Sequence, residues 1–225
     1  EMEIEIGEQL RKQLIQVIAN DGSNIFVYPD NDPNANAIRE FEKISNKLIR
    51  DYLTEAYGVE DVDELDIEAR SFGNLQVHGA RTFPHYHHGF DGVLIYYLTS
   101  GDEYDLNADG WPEDLPDDTM SNLSGDSHYN PRPGHDFASG EVLEGSGNLI
   151  LCDPRPAINY PYCNKAIAWH PVTGTLLMHP ACLWHESNAF TGRGVRLSIV
   201  INYRILTETN QETVKPLATI YDEDN

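Results

Sequence analysis

Three histidines, His85, His87 and His88, fall within four positions, directly before the apolar run 92–99. Because side chains at positions i and i+2 of a strand point to the same face, His85 and His87 can aim two imidazoles at one point. Imidazole binds iron, zinc, copper and nickel alike, so this spacing is typical of the beginning of a metal site and does not name the metal. The competing interpretation is a polar strand end with exposed histidines.

A third ligand has to come from far along the chain, and His185 is the best candidate. It ends the run TLLMHPACLWH, which combines a strand-like segment with a proline-marked bend. Asp91, the nearest acid, lies four residues after His87, so it reaches the same point only if the loop bends back. The sequence therefore leaves His87, Asp91 or another group open as a ligand. His179 lies in the same run. We expect it to be a core histidine whose hydrogen bonds are made within the protein, and not a partner of the metal ligands.

Arg196 stands inside an apolar strand predicted over 195–203, where a cation is costly to bury unless it is paired. A guanidinium group grips a carboxylate through two parallel hydrogen bonds, so Arg196 fits an anion clamp. Ser198 lies two residues later on the same face and can donate another hydrogen bond to that carboxylate. The alternative is an arginine at a strand edge that reaches solvent.

The elements that must position these residues change character near residue 70. Before it, helical spacing of apolar residues predicts one helix that ends at Asn20-Asp21-Gly22 and a second that begins at Pro33 and ends at Gly58, with a short strand between them at 24–28. After it, short apolar runs separated by Gly, Pro, Asn and Asp are typical of an all-β sandwich or barrel with helices packed outside. The predicted strands cover 72–78, 92–99, 148–152, 175–179 and 195–203.

The predicted organisation is a single domain over 1–225. It comprises a helical support at 1–70, a β core at 71–206 and a C-terminal tail at 207–225. The core is interrupted by an insertion at 101–145 that holds twelve Asp or Glu and no Lys. This insertion is either a solvated surface loop or a lid over a site.

The charge of the chain limits its partners. Its 225 residues include 37 Asp and Glu against 15 Lys and Arg, for a formal net charge of −22. Such an excess repels nucleic acid and anionic membrane surfaces, so neither is expected as a partner.

No apolar run approaches the roughly 18–20 residues that a membrane span needs. The three cysteines lack CxxC spacing, which favours a cytoplasmic location over a disulfide scaffold.

Taken in order, these features resemble the Fe(II)/2-oxoglutarate-dependent oxygenases, most closely the prolyl-hydroxylase-like branch. The resemblance covers roughly residues 72–205, and it implies a mainly β fold with flanking helices, the double-stranded β-helix or jelly roll, which is cupin-like. The stretches that carry it are His85-Tyr86-His87, Ile95-Tyr96-Tyr97-Leu98, Gly147-Asn148-Leu149 with Asp153-Pro154-Arg155, the run 171–177 leading to His185, and Arg196-Leu197-Ser198 with Asn202.

The resemblance also implies a cofactor and the residues that hold it. Fe(II) would be bound by His85, His87 and His185. His87 stands where the family usually has an aspartate or glutamate, so three neutral imidazoles would leave the metal with a higher net charge than the usual two histidines and one carboxylate.

The implied cosubstrate is 2-oxoglutarate. Arg196 would bind its distal carboxylate, with Ser198 and Tyr97 as hydrogen-bond partners. The implied activity is a dioxygenase, most simply a hydroxylase, that acts on a small molecule or a polypeptide.

Two other classes of protein fit the same residues. A cupin-like three-histidine dioxygenase needs no 2-oxoglutarate. Arg196 and Ser198 argue against this class, because such an enzyme does not need residues that bind the carboxylate of 2-oxoglutarate. A jelly-roll binding module without catalysis would use its histidines for zinc or for no metal. The oligomeric state is left open by the sequence.

Overall fold

The described residues form two antiparallel β-sheets and two α-helices. A computed structural model describes residues 2–3, 6–21, 33–77, 79–101, 145–153, 166–191 and 195–207. The predicted strand at 24–28, nearly all of the acidic insertion and nearly all of the C-terminal tail lie outside these ranges. The elements are β1 Met2–Glu3, α1 Glu8–Asp21, α2 Pro33–Tyr57, a 3-10 turn at Val62–Glu64, β2 Asp66–Gln76, β3 Gly92–Thr99, β4 Leu149–Cys152, β5 Ala166–Trp169, β6 Thr175–Pro180, β7 Trp184–Ser187 and β8 Arg196–Leu206.

The strand order is that of a jelly roll. The larger sheet has the order β1-β6-β3-β8-β2 and the smaller sheet the order β5-β4-β7. An isolated antiparallel bridge between His85 and His185 adds one more short extended segment beside β7. From β2 onward the pairing is nested: β2 with β8, the His85 segment with β7, β3 with β6, and β4 with β5. This nesting places eight extended segments in two facing sheets, so the predicted double-stranded β-helix is confirmed.

The centre of the larger sheet is buried on both faces. All eight residues of β3 are buried, and alternate residues of this strand point to opposite sides. Leu94, Tyr96 and Leu98 pack with the apolar sides of α1 and α2, whereas Val93 and Ile95 belong to a second core between the sheets. The helices therefore cover the outer face, and the inner face looks toward the smaller sheet.

Element boundaries differ from the sequence prediction at the strand ends. Strand β2 begins at Asp66 and not near residue 72, because its first half pairs with an extension of β8 in which Asp66 lies opposite Leu206. That half is largely exposed and so lacks apolar alternation. Helix α2 ends as predicted, before Gly58, whose φ of 68° suits a residue without a side chain. None of the described helices is long and apolar enough to cross a membrane.

Candidate metal centre and anion site

Cross-strand pairing brings His85 to His185 from a hundred residues away. The amide of each residue donates to the carbonyl of the other, at 3.0 and 2.9 Å, and the ring centroids lie 4.2 Å apart. The amide of His87 donates to the carbonyl of Ala181, which holds the segment against the turn that follows β6. Since residues two apart share a face, His85 and His87 both point to the side where His185 lies.

The three rings are close enough to share one metal ion. One nitrogen from each of His85, His87 and His185 lies within 4.8 Å of the other two. The Nε2 atoms of His87 and His185 are 3.1 Å apart. Such a convergence of imidazole nitrogens is the geometry that the spacing of His85 and His87 predicts.

Backbone carbonyls set the tautomers of two of these rings. The Nδ1 atom of His85 lies 2.8 Å from the carbonyl oxygen of Phe83, and that of His185 lies 3.0 Å from the carbonyl oxygen of Leu183. Because a carbonyl oxygen can only accept, Nδ1 carries the proton and Nε2 of the neutral ring keeps a lone pair. A hydrogen bond from the ring nitrogen that does not bind the metal is the usual way in which a metal-ligating histidine is oriented.

Burial keeps His87 and His185 neutral. Desolvation is the largest cause that lowers the pKa of His87, to about 4, and that of His185, to about 3, and the neighbouring imidazoles lower both further. Near neutral pH both rings are therefore in the form that binds metal.

Asp91 serves the backbone and not the cluster. Its Oδ2 accepts a hydrogen bond from the amide of Ile205 at 2.7 Å, and its own amide donates to the carbonyl of Tyr203. Among the residues that the structure describes, the group that can hold a metal consists of three histidines without a carboxylate. Three neutral imidazoles are a donor set that suits iron, zinc, copper or nickel.

A buried arginine lies on the opposite sheet. Arg196 is 4% exposed, its Nη1 donates to the carbonyl of Gly147, and its guanidinium carbon lies 4.9 Å from the ring centroid of Tyr97. A Cβ at Gly147, whose φ is 60°, would lie 2.5 Å from that Nη1. The absence of a side chain at this position therefore leaves space for the guanidinium group. Within the described ranges no carboxylate pairs with Arg196. Burial raises the pKa of Tyr97, and the nearby Arg196 lowers it in part.

One cavity of about 460 Å³ joins the two groups. This volume falls in the range of about 300–1,000 Å³ that small-molecule sites occupy. Its lining includes six of the site residues named from the sequence, His85, His87, His185, Arg196, Ser198 and Tyr97, but not the alternative ligand Asp91. Tyr96, the neighbour of Tyr97, points away and packs against Phe41 of α2 at a centroid distance of 5.4 Å.

Sequence reasoning missed a polar link in the wall of the cavity. Gln76 is 2% exposed, and its Nε2 donates to Thr82 Oγ1 and to Ser187 Oγ, both at 3.0 Å. These bonds tie β2 in the larger sheet to β7 in the smaller one. The available signal was a glutamine at the end of a strand whose neighbours Phe72 and Leu75 are apolar, but its partners are too distant in sequence to be recognised.

Comparison with known proteins gives structural likeness at low identity. No family model matches the chain, and no curated protein matches it. A prolyl-4-hydroxylase from Pseudomonas putida aligns over 88% of this chain and 82% of its own, with 14% identity and a TM-score of 0.49. A prolyl hydroxylase from Trichoplax adhaerens, in complex with a hypoxia inducible factor peptide fragment, aligns over 90% and 81%, with 13% identity and a TM-score of 0.49.

A collagen prolyl hydroxylase from Paramecium Bursaria Chlorella virus-1, in complex with 2-oxoglutarate, aligns over 92% of this chain and 96% of its own, with 13% identity and a TM-score of 0.48. These are enzymes of the branch that the sequence resembles. The assignment of the fold rests on the nested strand pairing of this chain.

Proposed function

We propose that the chain is a non-haem Fe(II)- and 2-oxoglutarate-dependent dioxygenase, most simply a hydroxylase. One observation carries the proposal: a single cavity of about 460 Å³ is lined both by three convergent imidazoles and by a buried guanidinium group. The cavity thus has a site for a metal and a site for an anion, and its size is that of a small-molecule site. A dicarboxylate could bind to both sites at once.

The anion side of the cavity would hold the distal carboxylate of 2-oxoglutarate. Arg196 is buried without a described carboxylate, and a buried charge without an anion is costly, so a dicarboxylate would neutralise it. The guanidinium still has donors beyond the one that meets the carbonyl of Gly147. Ser198, opposite Tyr97 in the register of β3 and β8, would add a hydroxyl donor beside it.

The metal side would use His85, His87 and His185 to hold Fe(II). When bound, iron and 2-oxoglutarate supply the oxidation, in which O₂ converts 2-oxoglutarate to succinate and CO₂ and places one oxygen atom on the substrate. The chain itself orients the cosubstrate through Arg196 and keeps water away with apolar lining residues such as Ile95. The three rings would hold the metal as neutral ligands, His85 and His185 through the Nε2 lone pairs that their Nδ1 hydrogen bonds leave free.

The substrate proposed here is a small molecule or a polypeptide that is neutral or basic. The reason is the formal net charge of −22, which raises the local concentration of cations and repels anions. The positive charge of the site is confined to the metal and Arg196, which the cosubstrate would neutralise.

A second candidate is a three-histidine dioxygenase that does not use 2-oxoglutarate. The observation in its favour is His87, an imidazole where a carboxylate would be usual in the first class. The two candidates share the three histidines and differ in whether they use 2-oxoglutarate, so a measurement of 2-oxoglutarate binding distinguishes them.

The test loads the protein with Fe(II) without oxygen and then adds 2-oxoglutarate. The proposed function requires a weak visible charge-transfer band and, after admission of O₂, succinate that depends on 2-oxoglutarate. Arg196→Gln should raise the concentration of 2-oxoglutarate needed for half the band by about 30-fold or more, since truncating one partner of a buried charge pair costs about 2 kcal/mol or more. Iron bound without the band and without succinate would rule the function out and favour the second candidate.

The matched control is Arg204→Gln. Arg204 lies on the same strand, but its guanidinium pairs with Glu68 away from the cavity. We expect this variant to bind 2-oxoglutarate like the unmodified chain, because its charge contacts no residue of the lining.

A further inference from the structure

His179 carries a buried nitrogen atom that has no described partner. The residue is 2% exposed, and its Nδ1 lies 2.9 Å from the carbonyl oxygen of Pro180. Because that oxygen can only accept, Nδ1 carries the proton and Nε2 of the neutral ring holds a lone pair. No described residue donates a hydrogen bond to this Nε2. A buried polar atom in this state calls for a partner beyond the residues that the structure describes.

The alternation of β6 turns His179 toward the metal cluster. Leu176 and Met178 pack with the helix-side core, whereas Leu177 belongs to the core between the sheets, and His179 shares the face of Leu177. The ring of His179 lies edge-on to that of His185, with centroids 4.7 Å apart and planes 60° apart.

The other two histidines are also near. Burial is the main cause that lowers the pKa of His179, and His85 contributes to it; His179 in turn contributes to the lowered pKa values of His87 and His185. The fourth ring is thus a neutral neighbour of the whole cluster, and its tautomer matches that of His85 and His185.

A second buried acceptor lies on the same inner face. Asn202 Oδ1 likewise has no donor among the described residues. In the larger sheet both His179 and Asn202 are register partners of Val93, one on each side. Two acceptors cannot satisfy each other, so each needs an O–H or N–H donor from outside the described residues. Buried acceptors of this kind are where proteins hold ordered water.

The distances separate His179 from the ligands themselves. The set of nitrogens within 4.8 Å of one another contains His85, His87 and His185 but not His179. Two nitrogens bound to one metal at about 2.1 Å each lie at most about 4.2 Å apart. His179 is therefore placed outside the ligand set and adjacent to it.

We propose that His179 is a fourth histidine of the metal centre, whose Nε2 accepts a hydrogen bond from a water molecule bound to the metal. His179 is then a positioning residue that fixes this water, and it acts without a bond to the metal. The inference rests on the proposed metal site and adds to it a residue whose sequence context favours a role in the core. For a role in packing alone, a phenylalanine at position 179 would fill the same space without burying a hydrogen-bond acceptor.

The test uses Co(II) as the probe, with calorimetric titration and the visible ligand-field spectrum as readouts. His179→Phe should weaken Co(II) binding by about 10–100-fold, as is usual when a residue that orients the ligands of a metal is lost, and should change the spectrum. His179→Gln keeps an acceptor at a similar reach and should restore both the affinity and the spectrum. A folded His179→Phe variant with unchanged affinity and spectrum would overturn the proposal.

A second measurement needs no variant of His179. In the unmodified chain, with Zn(II) as a diamagnetic probe, the ¹⁵N resonance of His179 Nε2 should move when the metal binds, because the lone pair gains a hydrogen bond. An unmoved resonance at metal saturation contradicts the proposal.

His185→Ala distinguishes a failure of the proposed metal site from a failure of the role of His179. If this variant binds Co(II) as well as the unmodified chain, the metal site fails and the role of His179 fails with it. If His185→Ala loses Co(II) while His179→Phe keeps it with the same spectrum, the metal site stands and His179 has no part in it.

Discussion

The two sheets differ in what they bury and in what they bring to the cavity. The larger sheet is covered by helices on one side and by the smaller sheet on the other, and it contributes Arg196, Ser198 and Tyr97 to the wall of the cavity. The smaller sheet has strands of four residues, and β5 is largely exposed. Its edge contributes His185 and the bridged segment that carries His85 and His87.

This difference separates the stability of the fold from the assembly of the site. Burial of apolar area, at about 25 cal/mol per Å², favours the larger sheet and its two cores. The histidine segment is held by a few backbone hydrogen bonds, among them the reciprocal pair between His85 and His185. We therefore expect changes in the larger sheet to act on unfolding, and changes among the histidines to act on metal binding.

The largest effect is expected from His185→Ala. Loss of one of three imidazoles should weaken Co(II) binding by more than the about 10–100-fold that loss of an orienting partner costs. The midpoint of urea unfolding without metal should stay the same or rise, because the variant removes a buried polar ring from the edge of the smaller sheet. Titration calorimetry and urea denaturation check the two halves, and a large loss of stability without metal would contradict the separation.

The larger sheet was the part of the fold that the sequence made predictable. Long apolar runs such as the one in β3 mark buried strands, and the alternation in β8 places Arg196 and Ser198 on one face. The convergence of these histidines was also predictable, because the interval of two between His85 and His87 gives their common face whatever the partner strand is.

The rest depends on pairings between residues far apart in sequence. Strands β5 and β7 have four residues each, too few for a periodic signal, and neither was predicted. Strand β4 has the same length and was predicted from its consecutive apolar residues Leu149, Ile150 and Leu151. The link from Gln76 to Ser187 joins residues 111 positions apart, and the missing partner of His179 Nε2 is a property of the packed interior. No local pattern encodes either of them.

A smaller effect concerns the pH dependence of stability without metal. The pKa values of His87 and His185 in the fold, about 4 and about 3, lie below the value of about 6.5 for an unfolded histidine. Between these values the unfolded chain binds more protons than the folded one, so the free energy of unfolding falls as the pH drops from about 6.5 toward 4.

Thermal melts from pH 7 to pH 4 check this dependence, with His185→Phe as the variant and His170→Phe as the control. The melting temperature of His185→Phe should fall less steeply than that of the unmodified chain, because one buried ring that resists protonation is gone. His170 is exposed and binds Asn148 Oδ1 through its Nδ1, away from the cluster, so its variant should keep the original slope. Equal slopes in all three proteins would show that the cluster does not resist protonation.

The smallest effect is expected at the contact that couples the two sheets. Gln76→Leu removes the hydrogen bonds to Thr82 and Ser187 and leaves their hydroxyls without this donor, which should cost about 1–3 kcal/mol of unfolding free energy. Gln16→Leu, on the exposed side of α1, is the matched control and should change stability by no more than about 0.5 kcal/mol.

A double-mutant cycle with Ser187→Ala then measures the coupling between the sheets. Because Ser187 Oγ also accepts from the amide of Thr82 at 2.8 Å, the single change at Ser187 perturbs the smaller sheet on its own. The double variant should be more stable than the sum of the single losses predicts, by about 0.5–1.5 kcal/mol, since the shared hydrogen bond is lost only once. Strict additivity would mean that Gln76 stabilises β2 alone and that the two sheets hold the site without this link.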